Sequence, residues 1–330
     1  MNSQEWREAV LEGASAAARL HEQLSLREQL STGQAPVDVF RIISDIGVSV
    51  ICRPLVGLLG VFLPRPVGMI ITTNRDLHVQ RYTAAHELGH FLLSHQASLD
   101  DDQCIGFVAR GGSHQNPQEV AADSFASELL APRWLVQAVV ERQGWSSLDL
   151  REAGTVYQLS LRLGISYSAT CWCLLSHRVL DRNNAANLAR VPPKTSKRQV
   201  LGGEDLGDSW ADVWSLSARD DGALLMGSPN DMIRLELPEH GASGSTWNLE
   251  PALKNGLELI SDTLMVPAGD AIGGSVARRL TLRGGGSGRV RIEERRQWDE
   301  MSPAVASFEV EFSFLGKEQG APRVTRKWLH

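Results

Sequence analysis

Arg81-Tyr82-Thr83-Ala84-Ala85-His86-Glu87-Leu88-Gly89-His90 decides how this chain of 330 residues is read. His86 and His90 stand four apart, which on a helix puts both imidazoles on one face, within reach of one metal ion. Neutral imidazole suits Zn²⁺, and Glu87 sits where it could take a proton from water held at that ion. A surface helix with two partly exposed histidines would carry the same letters. The flanking Tyr82, Ala84, Ala85, Leu88, Phe91, Leu92 and Leu93 argue against it, because they bury the helix and an unpaired buried His-Glu-His cluster is costly. The helix is expected from near Val79 to before His95. A metzincin would place its third histidine at Gln96, so His95 misses by one and reads as a solvated or capping residue.

Upstream, residues 4–30 carry Val10, Leu11, Ala14, Ala17, Leu20 and Leu24 at helical spacing. A second helix runs through Val39, Ile42, Ile43 and Ile46 to Gly47, and apolar runs at 48–52, 58–62 and 68–72 read as strands of a small sheet beneath the metal helix. Downstream, 96–116 reads as an irregular loop that could cover a cleft, with Asp100-Asp101-Asp102 as a solvated turn. Asn116-Pro117 then opens a helix, cap followed by proline at the first position. Small residues at 121, 122 and 126 would let it approach another helix closely. Glu119 is the candidate third ligand, the alternative being a surface charge. Asp123, one turn on, either orients a histidine through its second ring nitrogen or is exposed.

Two segments carry a resemblance. Arg81-Tyr82-Thr83, Ala85-His86-Glu87-Leu88-Gly89-His90, and then Glu119, Ala122-Asp123, Phe125-Ala126, Leu129-Leu130 and Pro132 resemble the ImmA/IrrE family of bacterial metallopeptidases over roughly 35–180. Tyr82 stands where phenylalanine is commoner. The resemblance implies a zincin-like fold, Zn²⁺ held by His86, His90 and Glu119, Glu87 as catalytic base, and a partner helix-turn-helix repressor as substrate.

Residues 155–180 follow a helix-turn-helix pattern: Val156, Leu159, Leu161 and Leu163, then Gly164, Ser166 as a cap, and a second helix to about Leu175. The window 155–200 holds seven Lys or Arg against one acid, an excess that would favour nucleic acid. Its second helix, 165–177, has no Lys or Arg and is rich in Trp172, Leu174 and Leu175. A structural module packed on the peptidase, or a surface for its substrate, is therefore preferred over DNA reading. Pro192-Pro193, Lys197-Arg198 and Gly202-Gly203 mark 183–206 as a linker.

From Trp210 the pattern alternates with period two, in 231–237, 257–260, 277–282, 288–293 and 307–314, which predicts a two-sheet sandwich. Three loops stand out: His240-Gly241-Ala242-Ser243-Gly244 leading to Trp247, Gly273-Gly274, and Arg296-Gln297-Trp298. Their order, with Leu237-Pro238 before the first loop and 256–262 after it, resembles the chagasin family of cysteine-peptidase inhibitors over roughly 208–316. That resemblance implies an immunoglobulin-like sandwich whose three loops plug a papain-like cleft, with Gly244, Trp247, Gly273, Gly274, Arg296 and Trp298 as the candidate loop residues. The first loop of that family carries Asn-Pro-Thr-Thr-Gly and the third Arg-Pro-Trp. Here only Gly244 and Trp247 of the first match, and Gln297 replaces the proline, so fewer residues support inhibition than support the fold.

The expected organisation is multidomain: an α+β zincin-like peptidase domain over 1–150, a helix-turn-helix-like module over 151–182, the linker, and an all-β immunoglobulin-like sandwich over 207–330. A net charge of −6 argues against a chain built wholly for nucleic acid. Cys52, Cys104, Cys171 and Cys173 show no disulfide-scaffold or Cys-x-x-Cys spacing and read as thiols of a reducing compartment. No signal peptide and no membrane-length apolar run is visible, so a cytoplasmic protein is expected. The function that follows is a zinc-dependent endopeptidase acting on one protein partner, with a cysteine peptidase as a second partner at the sandwich. The alternatives are a non-catalytic regulatory binding protein and a DNA-binding regulator. Tyr82, Tyr157, Tyr167 and His114 are the candidates for stabilising an oxyanion.

Overall fold

The computed structural model describes residues 1–95, 99–101, 116–202, 207–240, 244–265, 276–296, 298 and 303–326. The chain divides into two compact units, Met1–Val191 together with Lys317–His330, and Pro192–Gly316.

In the first unit, α1 (Ser3–Gln23) begins at a capping box. Asn2 accepts from the backbone of Gln4 and Glu5, and the Glu5 carboxylate accepts from Asn2 N. The helix does not run unbroken to residue 30: Ser25 takes a φ of 50°, and the short α2 (Leu26–Gln29) follows. Asp38 caps α3 (Val39–Ile46) through the Arg41 N–H. Strands β1 (Ser49–Arg53), β2 (Leu58–Pro64), β3 (Val67–Thr72) and β4 (Leu99–Asp101) form one sheet in the order β1-β3-β2-β4. β1 and β3 are parallel and the other pairs antiparallel. Asp100 and Asp101, read from sequence as part of a solvated turn, instead pair with β2 at Gly60 and Leu58 as the edge strand. Asp102 and His114 lie outside the described residues.

α4 (Leu77–Leu92) carries the two histidines and packs on β2, β3 and α5 (Pro117–Leu130), and α5 packs in turn on α1. Asp76 caps α4 and Asn116 caps α5, with Pro117 at its first position. The small residues of α5 serve two neighbours. A Cβ on Gly89 of α4 would stand 3.2 Å from Ala122 Cα, and one on Gly13 of α1 would overlap the carbonyl of Ala121. Helices α6 (Arg133–Gln143), α7 (Ala153–Leu163), α8 (Tyr167–Ser176) and α9 (Arg182–Ala189) complete the helical layer. Gly164 turns the chain at φ 65° between α7 and α8, and Ser166 caps α8, so the helix-turn-helix pattern is realised. It belongs to the first unit, and α8 buries Tyr167, Ala169, Thr170, Cys171, Cys173 and Leu174. The buried guanidinium of Arg81 ties this turn to α4, with Nε donating to the Gly164 carbonyl (3.0 Å) and Nη2 to that of Val37 (2.7 Å).

The second unit opens with α10 (Pro193–Leu201). The stretch 183–206, expected as a linker, is therefore largely helical. Asp181 caps α9, whose Ala185 and Leu188 are buried, and Pro193 occupies the first position of α10, where a missing N–H costs nothing. Leu201 packs with Val213 and Met232, and its carbonyl accepts from Arg234 Nη1 at 2.9 Å. Strands β5 (Val213–Ser217), β6 (Ala223–Met226), β7 (Met232–Glu239), β8 (Ser245–Asn248), β9 (Glu258–Met265), β10 (Val276–Arg283), β11 (Gly286–Arg296) and β12 (Ala306–Phe314), with α11 (Glu250–Lys254) between β8 and β9, make two four-stranded sheets. Their orders are β5-β7-β10-β9 and β6-β12-β11-β8. Most of the alternation read from sequence forms the core: Leu235, Leu237, Leu280 and Leu282 from one sheet, joined by Trp214 of β5, and Val290, Ile292, Phe308, Val310, Phe312 and Phe314 from the other, are buried. The run 257–260 largely does not: β9 is an edge strand whose Leu259 and Ile260 are exposed.

After β12 the chain returns to the first unit, so the sandwich does not extend to residue 330 as expected. Cys52 of β1 and Gly320 exchange backbone hydrogen bonds of 2.7 and 2.8 Å, which closes that edge of the sheet. The Gln80 carboxamide, fully buried in α4, pairs like a strand edge with the Glu318 backbone. Glu318 N donates to Gln80 Oε1 (2.7 Å), and Gln80 Nε2 donates to Glu318 O (3.0 Å) and Thr72 O (2.9 Å). The Glu318 carboxylate accepts from the N–H and guanidinium of Arg323, at the start of α12 (Arg323–Arg326). These partners hold the polar, alternation-free segment 317–326, which hydrophobic periodicity does not register. Ending the chain at Gly316 leaves Gln80 and the β1 edge without these bonds. It should lower the stability of the first unit by about 2 kcal/mol or more, read by calorimetry as a fall of about 4–8 °C in its transition.

Candidate metal centre

His86 and His90 lie on one face of α4, and Glu119 and Asp123 lie one turn apart on α5. All four side chains are buried. His86 Nε2 is 3.0 Å from His90 Nε2 and 3.3 Å from Glu119 Oε2, which is also 3.6 Å from His90 Nε2. The three candidate ligand atoms lie within 4.8 Å of one another, and this is the one cluster of metal-ligating groups among the described residues. The far nitrogens are occupied as well. His86 Nδ1 meets Asp123 Oδ1 at 3.0 Å, and the Tyr82 hydroxyl donates to the same oxygen at 2.9 Å. His90 Nδ1 meets His95 Nδ1 at 2.9 Å. With both Nδ1 atoms engaged elsewhere, the two Nε2 lone pairs and a carboxylate oxygen are left to converge, a donor set that fits Zn²⁺.

Burial alone would raise the Glu119 carboxyl. The hydrogen bonds and charges of His86 and His90 outweigh it and hold the group far below the usual carboxylate range. Burial, with His90 next, pulls His95 down to about 4. A cation among these groups would act in the same direction on Glu119, favouring the carboxylate.

Glu87 is buried beside β2. A Cβ on Gly60 would overlap both the Glu87 carboxylate and Thr83 Cγ2, and the β2–β4 register shifts between Leu58 and Gly60. A glycine and a bulge inside a strand mark close approach of another group, here the carboxylate. Sequence reasoning missed Gly60, although a glycine interrupting Leu58-Leu59 and Val61-Phe62 was the available signal. The sequence reading of His95 as a solvated or capping residue did not include the ring contact with His90 that the structure shows. Of the oxyanion candidates, Tyr82 donates to Asp123, Tyr167 donates to the Leu188 carbonyl at 2.9 Å, and Tyr157 is buried within α7. The basic window is also less open than its composition implied. Arg162 is buried over the Trp145 ring, 5.5 Å from its centroid, and Lys197 is buried 3.1 Å from Asp212.

On the second unit, two of the three sequence-predicted loops are described in part. Gly244, at φ 70°, has no Cβ where the Trp298 ring lies, so the first and third loops touch. Trp298 is 72% exposed, whereas Trp247 is buried and donates its indole N–H to the Pro238 carbonyl at 2.9 Å. Glu294, fully buried in β11, holds the start of the first loop by accepting from His240 N (2.6 Å) and facing His240 Nδ1 (2.9 Å). Arg296 is exposed at the end of β11. Gly273 and Gly274 lie outside the described residues. A groove of about 780 Å³ runs along this unit beside Trp247, Leu253, Leu264 and Arg278 and shares no residue with the metal-ligand cluster.

The first unit brings two imidazoles and a carboxylate together, and parts of both units match known families. Residues 58–173 match the family model described as IrrE N-terminal-like domain, and residues 228–312 match that described as Chagasin family peptidase inhibitor I42. The chain thus joins a metallopeptidase-type domain to a chagasin-like sandwich. Among solved structures, the cysteine protease inhibitor EhICP2 from Entamoeba histolytica is similar at 22% identity, covering 32% of this chain and 96% of that one, with a TM-score of 0.29. The solution structure of Amebosin is similar at 18% identity, covering 31% of this chain and 96% of that one, with a TM-score of 0.24. Comparison with curated proteins finds no match. Among the described residues, no helix is long and apolar enough to cross a membrane.

Gly60→Ala should force the Glu87 carboxylate or β2 to move and destabilise the first unit by about 1–3 kcal/mol in denaturant unfolding.

Proposed function

We propose that the first unit is a zinc-dependent endopeptidase acting on a specific protein partner. The observation that carries this reading is the convergence of His86 Nε2, His90 Nε2 and a Glu119 oxygen within 4.8 Å, inside the segment that matches the IrrE N-terminal-like family. His86, His90 and Glu119 would hold the metal. Zinc bound there supplies a Lewis acid that lowers the pKa of water to about 7 and polarises a peptide carbonyl. Asp123 accepts from His86 Nδ1–H, fixing the tautomer that leaves Nε2 free to ligate, and Tyr82 steadies that carboxylate. Glu87 takes the proton from the attacking water and delivers it to the leaving amine. A helix-turn-helix repressor is the partner class proposed as substrate. The buried α8 supports using the chain's own helix-turn-helix as part of the peptidase unit rather than as a DNA reader.

For the second unit we propose a protein-gripping surface formed by the first and third loops. The contact of Gly244 with the largely exposed Trp298 favours it. A papain-like cysteine peptidase is the partner implied by the chagasin-family match.

The native chain should bind one zinc ion, and His86→Ala or Glu119→Ala should abolish that binding. Glu87→Gln should retain zinc, lose cleavage by at least about a hundredfold, and retain the bound protein substrate on purification, where mass spectrometry would identify it. Full cleavage by Glu87→Gln would sink the catalytic assignment. Trp298→Ala should weaken inhibition of a papain-like peptidase at least about tenfold, consistent with loss of a central aromatic contact. An absence of inhibition by the native chain would overturn that second reading.

A further inference from the structure

The C-terminal end of α4 folds back on itself. Ser94 takes a left-handed φ of 56°, and the His95 N–H returns to the His90 carbonyl at 3.0 Å. Turns of this kind usually place glycine at the left-handed position, and a serine there costs about 1 kcal/mol. The turn sets the His95 ring against His90, with Nδ1 to Nδ1 at 2.9 Å, centroids 5.0 Å apart and ring planes at 67°.

Two imidazole nitrogens at this distance share one proton, so one donates and the other accepts. His90 Nε2 faces His86 Nε2 and Glu119. When His90 offers that Nε2 lone pair to a metal, its ring proton lies on Nδ1, and His95 Nδ1 must accept it with the His95 proton on Nε2. In the opposite tautomer His95 donates, the His90 proton lies on Nε2, and no lone pair faces the cluster. We propose that His95 is a positioning residue that accepts the Nδ1–H of His90 and so fixes the tautomer and ring plane in which His90 meets the metal. The inference rests on the zinc reading of His86, His90 and Glu119. It gives the two histidines unlike supports, a carboxylate for His86 and an imidazole for His90.

The test titrates metal-free full-length protein with Zn²⁺ against a competing chelator. His95→Ala should still bind one ion but about ten- to a hundredfold more weakly. His95→Asn, which keeps an acceptor near the place of Nδ1, should recover most of the affinity. Nitrogen-15 NMR of the zinc-loaded native protein, which needs no substitution, should place the His90 proton on Nδ1. An His95→Ala affinity within twofold of native, or a His90 proton on Nε2, would overturn the inference and leave the zinc reading standing. A native protein that binds no zinc would overturn both.

Discussion

The close approach of α4 and α5 is the constraint on which the rest of the first unit depends. Gly89 has no side chain where Ala122 and Phe125 of α5 press against it, so the two backbones can come near enough for Glu119 to reach the Nε2 atoms of His86 and His90. Glu119 and Asp123 stand one helical turn apart, about 5.4 Å along α5, and take opposite nitrogens of the same imidazole. A larger residue at 89 or 122 would widen the gap and separate both carboxylates from the ring together. Ala121, on another side of α5, receives Gly13 of α1 in the same way, so α5 is wedged between two helices.

A helix buried this thoroughly carries polar groups that need partners within the protein. Gln80, Arg81, Glu87 and both histidines are buried along α4. Arg81 reaches the carbonyls of Val37 and Gly164, and Gln80 reaches Thr72 and the backbone of Glu318. The helix therefore draws its supports from segments far away in the chain, including one that follows the whole sandwich. The first unit is thus built from two separate stretches of the chain, with the sandwich inserted between them in sequence.

The sandwich follows a different economy. Its core comes mainly from alternating apolar strands, and beside the first candidate loop buried Glu294 holds His240 and Arg278 bridges Glu239 and Asp262. The Glu294–His240 bonds fix where the first loop leaves β7.

Local patterns in the sequence determined a great deal. Period-two alternation defined β7, β10, β11 and β12, capping residues located the starts of α5 and α8, and the His-Glu-x-x-His spacing with Glu119 picked out the candidate metal-ligand cluster, whereas α4 begins at Leu77 behind an Asp76 cap, two residues before the expected Val79. These are short-range features, fixed by helical and strand periodicity and by the chemistry of single side chains. Proline misled at 192–193, because the same residue breaks a linker and starts a helix, and only burial of Leu201 against Val213 and Met232 separates the two. Gly60 beside Glu87, His95 folded onto His90, and Gln80 joined to Glu318 were decided by the tertiary structure alone. Gly60–Glu87 and Gln80–Glu318 are contacts between separate elements, the latter between residues 238 positions apart, while His90 and His95 stand five apart and meet only because Ser94 turns the chain back at a left-handed φ of 56°.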